Sequence, residues 1–183
     1  MAVTGFAREY CERLSMNVWE ELRKTDPEFA DFFRNFAFDE VVNEDDLDEH
    51  TRMMAILAAL LGCQGKEIYE EMLPAALRAG VTPVEIKEIV YQATAYLGIG
   101  RVYPFFRITN QVLEAEKVAL PLEEQGTTGI EDRVEKGEQA QVDIFGEGMK
   151  GFAASGPEES RHINRWLSGN CFGDYYTRTG LNY

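Results

Sequence analysis

Apolar residues between positions 47 and 117 recur at intervals of three and four, which is the spacing of one face of an α-helix. The pattern predicts three apolar helices joined by two short turns. The first of these, residues 47–62, presents five regularly spaced apolar side chains: Met53, Ile56, Leu57, Leu60 and Leu61. A helix with such a face packs against other helices. We therefore predict an all-α protein with this region as its core.

Local signals mark where these helices end and begin. Gly80 and Gly98 follow the second and third helices, in the position that glycine favours beyond a helix C-terminus. Thr82 and Glu85 have the spacing with which two residues cap each other's backbone N–H groups at a helix start. Pro83 follows Thr82 at the first helical position, where its missing N–H is harmless.

The segments on either side of the core are also helical in pattern. Residues 3–23 predict one amphipathic helix, and Asp26 and Pro27 start a second helix, with Asp26 as its cap. The second helix has an aromatic face: Phe29, Phe32, Phe33 and Phe36. Aromatic side chains at this spacing more often form a core or a subunit interface than a ligand site. After the core, Pro104 is predicted to begin a helix over residues 106–118.

The pattern changes after residue 119. Residues 120–129 are polar and lack apolar periodicity, which predicts a linker. Beyond it, residues 130–146 and 157–170 predict two further helices. The predicted organisation is a helical domain over residues 1–119, the linker, and a C-terminal helical arm over residues 130–183.

An internal similarity relates the two parts of the chain. Residues 37–48 align with residues 171–182 without a gap, at an offset of 134 positions, and Phe38 falls on Phe172. This match predicts one complete repeat followed by the opening of a second. The C-terminal helices carry large apolar side chains that no following core covers. We expect them to pack on a core in the same or a neighbouring chain, within a homo-oligomer.

Composition limits the possible functions. The 183 residues carry a formal net charge of −14, which argues against a nucleic-acid surface because phosphates require clustered Lys and Arg. The longest apolar run, residues 55–63, is far shorter than the roughly 20 residues of a membrane span, and no signal peptide is visible. We therefore expect a cytoplasmic protein without a membrane partner. The three cysteines are widely spaced and there are two histidines, so no metal site is predicted.

Two stretches of the core carry a family resemblance. Residues 75–86, which contain the capped turn, and residues 91–101 resemble the core of the carboxymuconolactone decarboxylase family, which includes the alkyl hydroperoxidase D-type proteins. The resemblance covers about residues 29–118. It implies a helical fold of the hydroperoxidase D type and assembly into trimers or hexamers through helical faces. With the internal similarity, it indicates a two-repeat member whose second repeat is incomplete.

The resemblance also implies where the chemistry lies. The hydroperoxidase branch uses C-x-x-C-x-x-x-H, and alignment on the capped turn puts its cysteines at Gly65 and Ile68 and its histidine at Met72. The decarboxylase branch uses a Glu-Leu-x-x-His run whose histidine also falls on Met72. Glu67 lies one residue out of step with the glutamate of that run, and Cys63 lies two residues before the first cysteine position.

Arginine and tyrosine side chains complete the candidate site. Arg52, charged in an apolar helix, and Arg101, in a glycine-rich turn, suit a small carboxylate by bidentate pairing. A structural ion pair is an equally good role for Arg52. Tyr91 and Tyr96 are five positions apart on the third helix, so at most one should line the same cavity. The predicted set is catalytic Glu67, Arg52 and Arg101, with substrate-binding Cys63, Met72, Tyr91 and Tyr96.

Three functions remain open at this point. The first is an enzyme that acts on a small organic acid or lactone by proton transfer, without a metal or organic cofactor. The second is a peroxide-reducing thiol protein centred on Cys63, as the hydroperoxidase resemblance implies. The third is a non-catalytic binding or assembly member, which the replacement of the family's cysteines and histidine favours.

Overall fold

The computed structural model describes residues 2–16 and 18–182, and its regular structure there is helical throughout. This confirms the predicted all-α fold. The α-helices are α1 (Gly5–Arg13), α2 (Val18–Thr25), α3 (Pro27–Asn35), α4 (Val41–Glu44), α5 (Glu49–Gly62), α6 (Lys66–Arg78), α7 (Pro83–Leu97), α8 (Ile99–Ala115), α9 (Arg133–Phe145) and α10 (Arg161–Trp166). Wider π-helical segments span Phe36–Glu40 and Leu167–Tyr176, and short 3₁₀ turns span Glu147–Met149 and Phe152–Ala154.

The prediction of a single helix over residues 3–23 is wrong, because this region forms two helices, α1 and α2. Ser15 has a φ of 54°, a left-handed conformation that ends a helix. The N–H of Met16 then donates to the carbonyl of Cys11 at 2.9 Å, which closes the end of α1. The apolar face predicted for this region is nevertheless buried at Val3, Ala7, Tyr10 and Leu14.

The start of α7 follows the predicted capping box. The Thr82 hydroxyl accepts a hydrogen bond from the N–H of Glu85 at 3.2 Å, and the Glu85 carboxylate accepts one from the N–H of Thr82 at 2.8 Å. At the start of α5, the Asp48 carboxylate accepts from the N–H of Thr51 at 2.9 Å. Both core helices therefore begin at side chains that satisfy their first backbone donors.

The predicted start of the next helix at Pro104 is wrong, because α8 begins at Ile99 and Pro104 lies inside it. Proline removes one backbone donor from a helix interior, which normally ends or bends it. Val102 and Phe105 are fully buried on either side of Pro104, so packing holds this turn helical. Arg101 is consequently an exposed helical residue rather than part of a flexible loop.

The chain forms two compact units. The first contains residues up to Val90 and from Arg101 to Leu120, and the second contains Tyr91–Gly100 and the residues from Pro121 onward. In the first unit, Tyr69 packs edge-on against Phe105, with ring centroids 5.0 Å apart. Its hydroxyl lies 2.9 Å from the Thr109 hydroxyl inside the core. Other fully buried side chains of this core are Met53, Leu57, Leu61, Leu73, Ile86 and Leu113.

In the second unit, α9 packs on the π-helix Leu167–Tyr176 at backbone contact. A Cβ placed on Gly137 would lie 1.9 Å from the carbonyl oxygen of Ser168, and one on Gly173 would lie 2.0 Å from that of Arg133. Only glycine fits at either position. The buried Ser168 hydroxyl donates to the Gln141 side-chain oxygen at 2.5 Å, beside this contact.

Helix α3 turns its polar side inward. Its buried residues include Asp31, Arg34 and Asn35. Arg34 donates to the Glu20 carboxylate at 2.8 Å, and the Asn35 side chain accepts from the N–H of Thr4 at 2.9 Å. On the opposite side, the rings of Phe29, Phe32 and Phe36 are exposed on this chain. The aromatic face was predicted to form either a core or a subunit interface. Those three rings do not form a core within this chain.

No helix in the described part of the chain is long and apolar enough to cross a membrane.

Candidate functional site

The structure gives the seven predicted site residues different surroundings. In the first unit, Arg52 and Met72 are buried, whereas Cys63, Glu67 and Arg101 are exposed. The other two, Tyr91 and Tyr96, belong to the second unit. There Arg178 lies over the Tyr91 ring at 5.1 Å, and the Tyr96 and Tyr176 hydroxyls are hydrogen-bonded.

A cavity of about 250 Å³ lies in the first unit, and Arg52 is one of its lining residues. Helix α5 supplies one wall, the π-helix and α4 supply another, and α1 contributes Tyr10. The remaining lining is apolar: Ala37, Phe38, Val41, Val42, Ala55, Ile56 and Ala59. A small concave site with an apolar lining and few polar groups is the usual form of a small-molecule site.

Arg52 is held at this cavity by one of its nitrogen atoms. Nη2 donates to the Asp45 carboxylate at 2.9 Å and to the carbonyls of Val42 and Leu47, both at 3.2 Å. Arg52 therefore has the structural ion pair that its sequence context left open. Within the described residues, Nη1 and Nε have no such acceptor, so two donor nitrogens of a buried guanidinium remain for a ligand.

The Asp45 partner stays ionised near neutral pH. Hydrogen bonds from the N–H of Leu47 and from Arg52, together with the Arg52 charge, hold the pKa of this carboxyl below its usual range. Arg52 consequently keeps a neutralising partner that also fixes its position. The side chain is rigidly placed because its anchors come from the α4 end and from the segment leading into α5.

Tyr10 is the second polar side chain of the cavity, and sequence reasoning placed it only on a core face. Burial, followed by the charge of Glu49, raises its pKa to about 12. The phenol is therefore protonated at neutral pH and acts as a hydrogen-bonding group. Glu49 in turn forms a bidentate ion pair with Arg13, whose two terminal nitrogens lie 2.7 and 2.6 Å from the Glu49 carboxylate oxygens. That hydrogen bonding lowers the pKa of Glu49.

The signal that could have identified Tyr10 is its hydroxyl on an otherwise apolar helix face. A buried phenol needs a polar partner, and the partner here is nearly 40 positions away at Glu49. Spacing within one helix gave no indication of that pairing. The pairing depends on the tertiary structure, which places α1 and α5 in the same unit.

Cys11 and Cys171 have little tendency to ionise at neutral pH. Burial raises the pKa of the Cys11 thiol, and burial also raises that of Cys171. Cys63 is exposed, and its Sγ lies 3.5 Å from the carbonyl of Leu60. Since the thiolate is the reactive form of cysteine, the surroundings of Cys11 and Cys171 are those of packing residues.

A second polar cluster closes the start of α7. The Nε2 atom of His50 lies 3.0 Å from the Glu85 carboxylate, which also accepts from the N–H and hydroxyl of Thr82. Burial alone would raise the pKa of Glu85, but the hydrogen bonds from Thr82 and His50 lower it. All these contacts serve the helix cap. In the described residues, no group of three or more His, Cys, Asp and Glu side chains is arranged to hold a metal ion.

The fold and the cavity together define an all-α protein with a small, arginine-anchored cavity beside its core helix. Residues 27–111, just under half of the chain, match the sequence model of the carboxymuconolactone decarboxylase family. The match confirms the family predicted from the capped turn and the helix after it. Most of the cavity lining falls within the matched region, whereas Tyr10 precedes it.

One curated relative is the 4-carboxymuconolactone decarboxylase of Acinetobacter baylyi. It is 31% identical over 80 residues, which are 44% of this chain and 60% of the relative. The chain thus matches about three fifths of that relative's length. No solved structure matches the chain.

Proposed function

We propose that the protein is an enzyme that acts on a small organic acid or lactone by proton transfer, without a metal or organic cofactor. The observation that carries this proposal is the cavity of about 250 Å³ in which Arg52 keeps two nitrogen donors beyond its structural contacts. The match of residues 27–111 to the family model supports the reaction class. The name of the Acinetobacter baylyi relative supports a lactone acid as the kind of substrate.

In this proposal Arg52 binds the substrate carboxylate. Both bidentate edges of a guanidinium include Nη2, which Asp45 and the two carbonyls occupy. The carboxylate is therefore bound by a single charge-assisted hydrogen bond from Nη1 or Nε of a guanidinium whose position is already fixed. The apolar side chains of the cavity then contact the rest of the substrate.

Tyr10 lines the same cavity, and its one hydroxyl hydrogen is donated to the Glu49 carboxylate. Its pKa of about 12 keeps the phenol protonated at neutral pH, so it is not a base. Glu67 and Arg101, which the sequence favoured for catalysis, remain candidates at the exposed surface of α6 and α8.

The test is turnover of a panel of small γ-lactone acids, including 4-carboxymuconolactone, followed by lactone loss and by release of carbon dioxide. Arg52→Gln is expected to lower kcat/KM by about 100-fold, because a buried charge pair loses one partner. Arg52→Lys keeps the charge and should retain part of the activity. Arg107→Gln, at an exposed position of α8, is the matched control and should leave turnover unchanged.

Unchanged turnover in a folded Arg52→Gln protein would disprove the role of the cavity. If the panel binds but no member reacts, the family fold serves binding alone, which is the third function considered above. Peroxide consumption by the wild-type protein that Cys63→Ser abolishes would instead favour the thiol chemistry.

We also propose that the protein is a homo-oligomer. The support is the exposed aromatic face of α3 and a comparable apolar face on α10, where Ile163 and Trp166 are more than half exposed. Faces of this kind are seldom left in water.

A further inference from the structure

The exposed apolar faces of α3 and α10 occupy equivalent positions in the two similar parts of the chain. At the offset of 134 residues, Phe29 corresponds to Ile163 and Phe32 corresponds to Trp166. These four side chains are 45%, 55%, 46% and 63% exposed, in that order. Each copy of the protein therefore presents the same kind of apolar surface twice.

The α3 face has acidic side chains at its border. Glu28 lies one helical turn before Phe32, and Glu40 lies four residues after Phe36. Both carboxylates are exposed, and within the described residues neither has an ion-pair partner. The lysine and arginine side chains of α2 and α3 are already paired with other carboxylates: Arg23 with Asp31, Lys24 with Glu21, and Arg34 with Glu20.

The α10 face instead has basic side chains at its border. The helix contains no acidic residue, and its basic side chains are exposed: Arg161, His162 and Arg165. Within the part of the chain that the structure describes, none of the three is in an ion pair. Glu158 and Glu159 lie in the turn before the helix rather than on it.

The two faces are therefore complementary to each other. Apolar side chains at a contact pack together, and opposite charges at its rim select the partner. Pairing of two α3 faces, or of two α10 faces, would bring like charges together, which is unfavourable. Copies of a chain with a net charge of −14 also repel one another, so contact at a basic surface is favoured over contact at an acidic one.

We propose that the α3 face of one copy packs against the α10 face of a second copy. The inference rests on the proposed homo-oligomer, and it adds which surfaces meet there and why they recognise each other. Because the contact joins two different faces, each copy contributes one face of each kind.

The experiment reverses the border charges of the full chain and measures the dissociation constant of the assembly by analytical ultracentrifugation. Glu28→Lys combined with Glu40→Lys should weaken association by about tenfold or more, because like charges then meet at the border. Arg161→Glu combined with Arg165→Glu should have a similar effect. A chain with all four substitutions should return to within a few-fold of the wild-type constant, since its border charges are opposite again.

Matched reversals away from both faces are the controls. Glu123→Lys with Glu124→Lys, and Arg107→Glu with Lys117→Glu, change exposed side chains and alter the net charge by the same amounts. Both controls should leave the dissociation constant within a few-fold of wild type. Replacing two glutamates by lysine makes the net charge less negative than −14, which by itself reduces repulsion between copies. Weaker association of the Glu28→Lys, Glu40→Lys protein therefore cannot result from net charge.

Three results would overturn the inference: an oligomer whose dissociation constant neither reversal changes, sensitivity to reversal on one face only, or failure of the fourfold variant to recover. An oligomer that resists the reversals contradicts this inference alone. A protein that stays monomeric at every concentration contradicts the proposed assembly as well. Circular dichroism of each variant verifies that it is folded, so that a loss of association reports on the contact itself.

Discussion

Two segments of this protein have similar local structure but pack differently against a helix of their own unit. The N-terminal π segment, residues 27–40, joins α3 to a π-helix, and the C-terminal π segment, residues 161–176, joins α10 to another. Each buries one phenylalanine, Phe38 at 6% and Phe172 at 7% exposure. In each, that ring packs on an aromatic ring of an earlier helix: Phe38 lies 6.0 Å from Tyr10 of α1, and Phe172 lies 5.8 Å from Phe145 of α9.

The two segments differ in how closely they approach the helix that their phenylalanine contacts, which is α1 for the first and α9 for the second. In the first unit, Tyr10 and Phe38 border the cavity of about 250 Å³. In the second unit, Gly137 and Gly173 bring the two backbones into direct contact. Large side chains at a helix contact hold the backbones apart, whereas glycine lets them meet. The comparison shows that the side chains at the contact, rather than the π-helix itself, determine how closely the two backbones approach.

The shared features support the repeat that residues 37–48 and 171–182 predict, and we retain the repeat as a proposal. Each π-helix ends in a backbone hydrogen bond between residues five apart, from the N–H of Val41 to the carbonyl of Phe36 and from the N–H of Thr177 to the carbonyl of Phe172. These bonds widen the helix at the buried phenylalanine in each case.

Truncation of the two buried phenylalanines tests whether the segments are equivalent, and it should have the largest effect on stability. Phe38→Ala and Phe172→Ala should each cost about 3–5 kcal/mol of unfolding free energy in their own unit, since each removes a buried ring. Urea denaturation would measure the loss. In addition, Phe38→Ala should alter turnover of the lactone acid panel because it enlarges the cavity, and Phe172→Ala should not. The equivalence of the segments would be refuted if one variant lost less than about 1 kcal/mol while the other lost the full amount.

Adding a methyl group at the backbone contact tests the difference. Gly137→Ala should cost about 1–3 kcal/mol or more, because its Cβ would lie 1.9 Å from a carbonyl oxygen that belongs to the packed helix. Gly148→Ala is the matched control, since nothing lies within 4 Å of a Cβ there. Thermal unfolding of the two variants gives the comparison. Equal stability of both variants would mean that the close contact between α9 and the π-helix does not form.

Substitutions on the outer faces of the two segments should have the smallest effect on stability. Phe32→Ser and Trp166→Ser replace side chains that are 46% and 63% exposed, so each should change the unfolding free energy by only about 0.5 kcal/mol. If both faces are subunit interfaces, each variant should lower the oligomer mass measured by light scattering. Ile130→Ser, at a 76% exposed position outside both segments, is the control. An unchanged mass in all three variants would contradict the proposed assembly.

The sequence predicted best those features that neighbouring residues produce. The capping box of Thr82 and Glu85 and the apolar period of α5 depend on side chains within one or two turns of each other, and both are present as predicted. The break at Ser15 and the early start of α8 were missed. At Pro104 the buried side chains around it outweighed a local signal that ordinarily begins or ends a helix.

For the candidate site, the sequence identified Arg52, because a charge in an apolar helix stands out without knowledge of its neighbours. It could not choose between a ligand role and an ion pair, since Asp45 and the carbonyl of Leu47 reach the guanidinium only in the folded loop before α5. Glu67 and Arg101 were chosen from alignment and turn composition. The structure places both at the surface.

The sequence alone thus determined the all-α class, the family that residues 27–111 match and the helices of the core, because periodicity and capping act over a few residues. Only the tertiary structure decided that Tyr10 and Arg52 share a cavity and that Gly137 and Gly173 let two backbones meet. Those outcomes depend on contacts between helices distant in sequence. The shape and size of the side chains that meet there leave no periodic trace along the chain.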